Sequence, residues 1–187
     1  MALPTYRTDR LLVRPRALDD IAGLLDLHRD ANVMRFLGGP VHDPVAHAQE
    51  LRERITRDWG KGLGTWSVVS HDDPARYLGW VLLLPIEGRG PDVEIGWRFA
   101  HAAWGHGYAT EAAARILRHG FETARLDAVV AVIDPGNARS HRVAERIGLR
   151  RSGEREAYGK TMASYRLSRD EFVAAGTRPR PPDQPRR

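Results

Sequence analysis

Between residues 92 and 125 the chain changes from one hydrophobic period to another across a glycine-bearing turn, and this change constrains the fold more than any other feature. Val93, Ile95, Trp97 and Phe99 alternate with Glu94, Gly96 and Arg98, the period of two that belongs to a strand. From Ala109 onward the apolar or small residues fall at 109, 112, 113, 116, 117, 120, 121 and 124, the spacing of one buried helical face. The connection Gly105-His106-Gly107-Tyr108-Ala109-Thr110 opens that helix with N–H groups that have no intrahelical acceptor. Free donors and the positive end of the helix dipole point the same way, so such a turn attracts an anion. Neither Gly105 nor Gly107 has a side chain to keep a phosphate off the main chain.

Two common phosphate turns do not fit these residues. The dinucleotide fingerprint Gly-x-Gly-x-x-Gly requires glycine where Thr110 stands, and no acidic residue closes a second strand at the expected distance. The nucleoside-triphosphate loop requires Gly-Lys-Ser/Thr, yet no lysine lies between Lys61 and Lys160. On a purely structural reading the glycines only let a helix pack on a strand.

The remaining segments build a mixed sheet around this unit. A length of 187 residues with 42% hydrophobic content suits one domain with one core. Residues 10–15 read as a strand ended by proline. A helix then begins near Leu18, with Ile21, Leu24, Leu25, Leu27 and His28 facing inward. Residues 32–44, containing Gly38-Gly39-Pro40, read as a connection, and a helix is expected over 45–59 with Ala48, Leu51, Ile55 and Trp59 buried. Strands at 65–71, 76–86 and 93–99 are joined by turns too short for a crossover helix, so they run antiparallel. Residues 126–133 form a strand buried on both faces, and because a helix intervenes it lies parallel to 93–99. Asn137 suits the N-cap of a helix over 138–147, stopped by Gly148. Two strands around Gly159-Lys160 and a helical turn from Ser168 follow, and from Thr177 the Arg/Pro-rich composition indicates a disordered tail, leaving a domain at 8–176.

The run Trp104-Gly105-His106-Gly107-Tyr108-Ala109 resembles the acyl-CoA pyrophosphate loop of the GNAT acetyltransferases, Gln/Arg-x-x-Gly-x-Gly/Ala, with Trp104 in the Gln/Arg position. That tryptophan, followed by Tyr108-Ala109-Thr110-Glu111-Ala112, is similar to the RimJ/RimL-like branch, which acetylates N-termini of ribosomal proteins. Three further segments resemble the same family in the same order: Thr8-Asp9-Arg10-Leu11-Leu12-Val13-Arg14-Pro15 with Leu18-Asp19-Asp20, the Asn137 to Ser140 to Gly148-Leu149 element, and Ser168-Arg169-Asp170-Glu171-Phe172. The resemblance covers about residues 8 to 175. It implies an α/β (α+β) fold: a mixed, mostly antiparallel seven-stranded sheet with helices on both faces, whose parallel central strands splay to hold acyl-CoA. It also implies acetyl-CoA or another acyl-CoA as cofactor, bound along Trp97, Arg98 and Phe99, then Trp104, Gly105, His106, Gly107, Tyr108, Ala109 and Thr110, with Asn137 and Ser140 contributing. The implied acceptor is a primary amine, a small molecule or a protein N-terminus, and a homodimer stays open.

Transfer from a thioester to an amine needs a neutral amine, a polarised carbonyl and a thiolate that can leave. Glu94 is the expected proton acceptor, placed on the strand face opposite Val93, Ile95 and Trp97; a structural carboxylate is the alternative. A backbone N–H near Arg98 or Phe99 would meet the oxyanion. Ser140 and Tyr158 compete as donors to the thiolate. Zero cysteines exclude disulfides, thiolate zinc sites and a cysteine nucleophile. Eight scattered histidines, none in a His-Glu-x-x-His run, argue for no metal, although His106 could add charge at the phosphate loop. Residues 148–187 hold ten basic and five acidic side chains, the whole of the net +5. Trp66, Trp80 and Trp97 read as core and are not interleaved with lysines, so a nucleic-acid partner is not expected. Lacking an apolar leader or spanning run, the chain is expected to be cytoplasmic and without a membrane partner. Two other classes remain open: an acyl-CoA sensor without catalysis, and a basic nucleic-acid module.

Overall fold

Short turns between residues 64 and 99 force neighbouring strands to run antiparallel, and the computed structural model, which describes residues 3–60 and 62–176, is built on them. The strands are β1 (Tyr6–Arg7), β2 (Leu11–Pro15), β3 (Gly64–Ser70), β4 (Tyr77–Pro85), β5 (Val93–Phe99), β6 (Ala128–Ile133), β7 (Arg150–Ala157) and β8 (Lys160–Ser168). They form one sheet in the order β1-β2-β3-β4-β5-β6-β8-β7. Among the described residues the sheet therefore has eight strands where seven were expected; β1 is only two residues long, too short for any periodicity to announce it. All pairings are antiparallel except that of β5 with β6.

That parallel pairing is confined to one register position, Glu94 opposite Val130. Beyond it β5 runs on for five residues and β6 for three with no ladder between them, so the strands part toward their carboxyl ends. On its other edge β5 is held closely. Gly79 of β4 has φ +155, and a Cβ there would stand 2.3 Å from the Arg98 carbonyl oxygen, so only glycine allows the two backbones to meet.

Among the described residues six α-helices cover the sheet: α1 (Ile21–Arg29), α2 (Ala31–Met34), α3 (Pro44–Thr56), α4 (Tyr108–Glu122), α5 (Ala138–Arg146) and α6 (Arg169–Gly176). α4 buries Ala112, Ala113, Ile116, Leu117 and Phe121 against Val81, Leu83, Ile95 and Phe99, the face that its period predicts. Phe121 is 2% exposed and stacks on Phe172 of α6 at 4.7 Å, so truncating it to alanine costs about 3–5 kcal/mol. His119 lies on the same buried face. Its Nε2 donates to the Gly62 carbonyl at 2.7 Å and its Nδ1 accepts from the Tyr6 hydroxyl at 2.7 Å, so both nitrogens of the buried imidazole are paired. On the opposite face Ile21, Leu24 and Leu27 of α1 pack with Leu51 of α3 on Trp80.

The helical half of the sequence departs from expectation in two places. Residues 32–44 are not all connection, because α2 begins at Ala31, where the Asp30 side chain accepts from the Asn32 N–H. α3 ends at Thr56 rather than Trp59. Asp43 caps it by accepting from the N–H groups of Val45 and Ala46, both at 3.0 Å, with Pro44 in the first turn. Trp59 lies outside the helix with the Arg57 guanidinium 4.2 Å from its ring centre. Trp66 and Trp80 are core as expected, whereas Trp97 is only partly buried against the main cluster. The expected tail at 177–187 lies outside the described residues. None of the helices among the described residues is long and apolar enough to cross a membrane.

Candidate active site

The turn between β5 and α4 takes its shape from two glycines. Gly105 (φ +82) and Gly107 (φ +79) are left-handed, and Gly107 is the N-cap of α4 with no side-chain cap. Among the described residues, no side chain or carbonyl accepts from the N–H groups of residues 105–110; the first donor that finds a partner is Glu111, to the Gly107 carbonyl at 3.1 Å. Six consecutive amides at a helix N-terminus are thus left for an external acceptor.

Side chains around the turn fix its position. The Trp104 indole Nε1 donates to the Phe99 carbonyl at 2.8 Å, tying the loop to the end of β5, and the Arg139 guanidinium lies 4.4 Å from the Trp104 ring centre. Arg10 donates to the His106 carbonyl at 2.8 Å, ion-pairs with Glu111 at 2.7 Å and lies over the Tyr108 ring at 4.8 Å. Glu111 would be an unfavourable neighbour for a phosphate if left alone. Burial pushes its pKa up, but hydrogen bonds from Thr8 and Arg10 outweigh that effect and hold it below the usual carboxylate value. The His106 ring stacks on Tyr108 at 5.5 Å. Arg10 and Glu111 lie within two of the family-like runs but were given no role there, because their pairing spans about a hundred residues and leaves no local pattern.

At the point where β5 and β6 meet, Glu94 projects to the face opposite α4. It is 7% exposed. Burial pushes its carboxyl up to about 7, against the opposing pull of a hydrogen bond from Tyr158 and the charge of Arg155. Tyr158 Oη donates to Glu94 Oε2 at 2.5 Å. Burial and the neighbouring Glu94 charge push the phenol well above its ordinary value. Tyr158 (φ +54) and Gly159 (φ +71) form the two-residue turn between β7 and β8, the left-handed pair that such a hairpin requires. Glu87, itself left-handed at φ +54, accepts from the Tyr158 N–H at 2.6 Å and donates its own N–H to the Tyr158 hydroxyl at 3.4 Å. Glu87 is a positioning residue that no sequence pattern revealed.

The structure therefore joins two of the three expected catalytic residues. Ser140 stands apart: no hydrogen bond among the described residues links it to Glu94 or Tyr158. It lies in the first turn of α5, just past the carboxyl end of β6, and its N–H donates to Asn137 Oδ1 at 3.2 Å. Asn137 is the helix cap, as its type and position suggested. Of the strand residues expected near the cofactor, Phe99 is buried and Trp97 partly so on the α4 face. The Arg98 side chain lies on the opposite face, 3.5 Å from Met34 Sδ, so only its backbone is available on the loop side. No group of three or more metal-ligating side chains stands together among the described residues.

Comparison with known proteins fits this geometry. Residues 10–150 match the model of the acetyltransferase (GNAT) domain. YkkB of Bacillus subtilis, an uncharacterized protein, is 34% identical over 170 residues, covering 84% of this chain and 92% of its own. The uncharacterized N-acetyltransferase YnaD of the same organism is 30% identical over 146 residues, covering 78% of this chain and 82% of its own. An acetyltransferase (GNAT family) from Bacillus anthracis shares the fold with a TM-score of 0.76 at 22% identity, over 90% of this chain and 100% of that one.

Proposed function

We propose, from the premise that this chain belongs to the GNAT acetyltransferase family and is an acyl-CoA-dependent acyltransferase, that it transfers an acetyl group to an α-amine. The observation that carries this reading is one splay with six uncapped amides at one side and a buried carboxyl poised near neutral pH at the other. Bound acetyl-CoA supplies the activated thioester. The chain supplies the rest.

The amides of residues 105–110 suit a diphosphate, because donors and helix dipole converge where glycine permits close approach. Arg10 neutralises Glu111 and holds the loop by the His106 carbonyl. Edge N–H groups of β5 beyond Glu94, unpaired toward β6, can meet the charge that develops on the carbonyl oxygen. Glu94 accepts the amine proton, directly or through one water. With a carboxyl at about 7, taking a proton from an α-ammonium of pKa ~8 costs about 1 kcal/mol, and from a lysine of pKa ~10.4 about 3 kcal/mol more, a difference set by the two amines themselves. That difference favours an α-amine, which a protein N-terminus or a free amino acid provides. In this arrangement the Tyr158 proton is directed at Glu94; as the carboxylate takes up the amine proton, the phenol is released to protonate the departing thiolate. Ser140, at the mouth of the splay, is the second donor.

Acetyl-CoA incubated with a panel of primary amines tests this reading, with free thiol and acylated amine both measured. Transfer to α-amines in preference to lysine side chains is expected. Acetyl-CoA binding without thiol release for any amine would instead identify a sensor.

A further inference from the structure

Glu94 and Arg98 share a face of β5, on the order of 13 Å apart along the strand. In register across the sheet Arg98 stands beside Trp80, and Trp80 beside Ser67. The guanidinium carbons of Arg98 and Arg16 lie 4.9 and 5.1 Å from the Trp80 ring centre. Arg54 of α3 adds a third cation close enough to depress both. The neighbouring carboxylate, Asp20, is already committed: it takes both oxygens to Arg14 at 2.6 and 2.9 Å and also accepts from Ser67 and the Ala17 N–H.

This leaves buried guanidinium groups without an anion. Among the described residues Arg16 Nε and Nη2, Arg98 Nε and Trp80 Nε1 are closed off from solvent with no close hydrogen-bond acceptor; the groups facing them are neutral, the Tyr77 hydroxyl, which stands near enough to Arg16 to favour its charge, and the unpaired His28 Nε2. Native proteins rarely bury so many unmet polar atoms together, and buried guanidinium groups are costly without an anion. Nε and Nη2 are moreover one edge of the Arg16 fork, the edge that receives a carboxylate with two parallel hydrogen bonds. A cleft of about 100 Å³ reaches Arg16 from outside; Arg54, Arg57 and Trp59 line it, and so does Asp58, which accepts from the Gly60 N–H at 2.8 Å. Burial pulls Arg98 down to about 9, with Arg16 and Arg54 adding to the effect, and burial pulls Arg16 to about 10, so an anion here would relieve both.

We infer that Arg16 and Arg98, over Trp80, bind a carboxylate carried by the acceptor, so that the favoured substrate is an α-amine bearing a carboxylate several bonds away. The inference rests on the transfer reading above for where the amine lies. Such a substrate is a short peptide with a free C-terminus or an acidic side chain near its N-terminus. The same cluster disfavours polycationic amines, which would face three guanidinium groups.

The test compares matched acceptors of equal amine basicity: trialanine against its C-terminal amide, and Ala-Ala-Glu-amide against Ala-Ala-Gln-amide. The carboxylated member of each pair should show a KM at least tenfold lower, and R16M and R98K should shrink that ratio toward one. R98K keeps the charge and loses only the fork geometry, so its effect is separable from the loss of a buried charge in R16M. Equal KM values within both pairs would overturn the inference while leaving acetyl transfer intact. If no amine is acetylated, calorimetry with glutarate and with inorganic phosphate decides separately. Glutarate binding that R16M weakens supports the site; no anion binding, or binding of phosphate alone, overturns it.

Discussion

Replacing Glu94 by glutamine separates the two consequences of burying a carboxyl in the splay. The group is 7% exposed and its folded pKa is about 7, against an ordinary value of 4.5. Between those values the folded protein holds a proton that the unfolded chain has released, so stability falls as pH rises from 4.5 to 7 and is flat above. The full penalty is about 3 kcal/mol, and only about 1 kcal/mol of it is present at pH 5.5. E94Q carries no charge at any pH, so its stability advantage over the parent should grow by about 2 kcal/mol between pH 5.5 and pH 8. For a chain of this size that is roughly 4 to 8 °C in Tm. In the same variant acetyl transfer at pH 7.5 should fall by about 10²- to 10⁴-fold, the usual contribution of a general base. Paired thermal melts at the two pH values and thiol-release assays read both effects. A Tm difference that does not change with pH, together with undiminished turnover, would show that Glu94 is an ordinary ionised carboxylate and not the base.

Tyr158→Phe removes the hydrogen bond that holds Glu94 down, so the ascending limb of the kcat/KM profile should move to higher pH and kcat should fall; an unmoved limb would detach the phenol from the base. Gly107→Val places a β-branched residue at φ +79 and covers the free amides, so calorimetry should find CoA affinity lost by more than about 100-fold in a protein whose circular dichroism is unchanged, and parental affinity would remove the turn from the cofactor site. Arg10→Ala gives up the His106 carbonyl and leaves Glu111 unpaired beside the phosphates, so KM for acetyl-CoA should rise about tenfold, equivalent to about 1.4 kcal/mol, while Tm changes by only a few degrees.

How much of this was legible in the sequence depended on the range over which each feature is encoded. The passage from β5 through the glycine turn to α4 is local: strand alternation, two glycines and helical spacing all lie within some thirty residues, and each came out where expected. The parallel neighbour β6 followed from a handedness rule, and the Asn137 cap from residue type. The functional meaning of Glu94 was only half visible, since alternation assigns a face but not the burial that pushes its carboxyl to about 7. Tyr158 reaches Glu94 because Glu87 holds it across 71 residues, and two non-glycine left-handed residues are not written in any pattern. Arg10 with Glu111, and Arg16 with Arg98, are likewise products of sheet order. The two-residue β1 and the four-residue α2 were missed for a simpler reason: neither is long enough to show a period.

The central claim is that an acyl-CoA diphosphate rests on the amides of residues 105–110. Backbone ¹⁵N–¹H spectra recorded during titration with CoA observe those groups one at a time. The account predicts the largest shift changes at Gly105, Gly107, Tyr108, Ala109 and Thr110, saturating together with the calorimetric affinity. Saturation of CoA binding with these amides unmoved, and the changes gathered on another element, would contradict it.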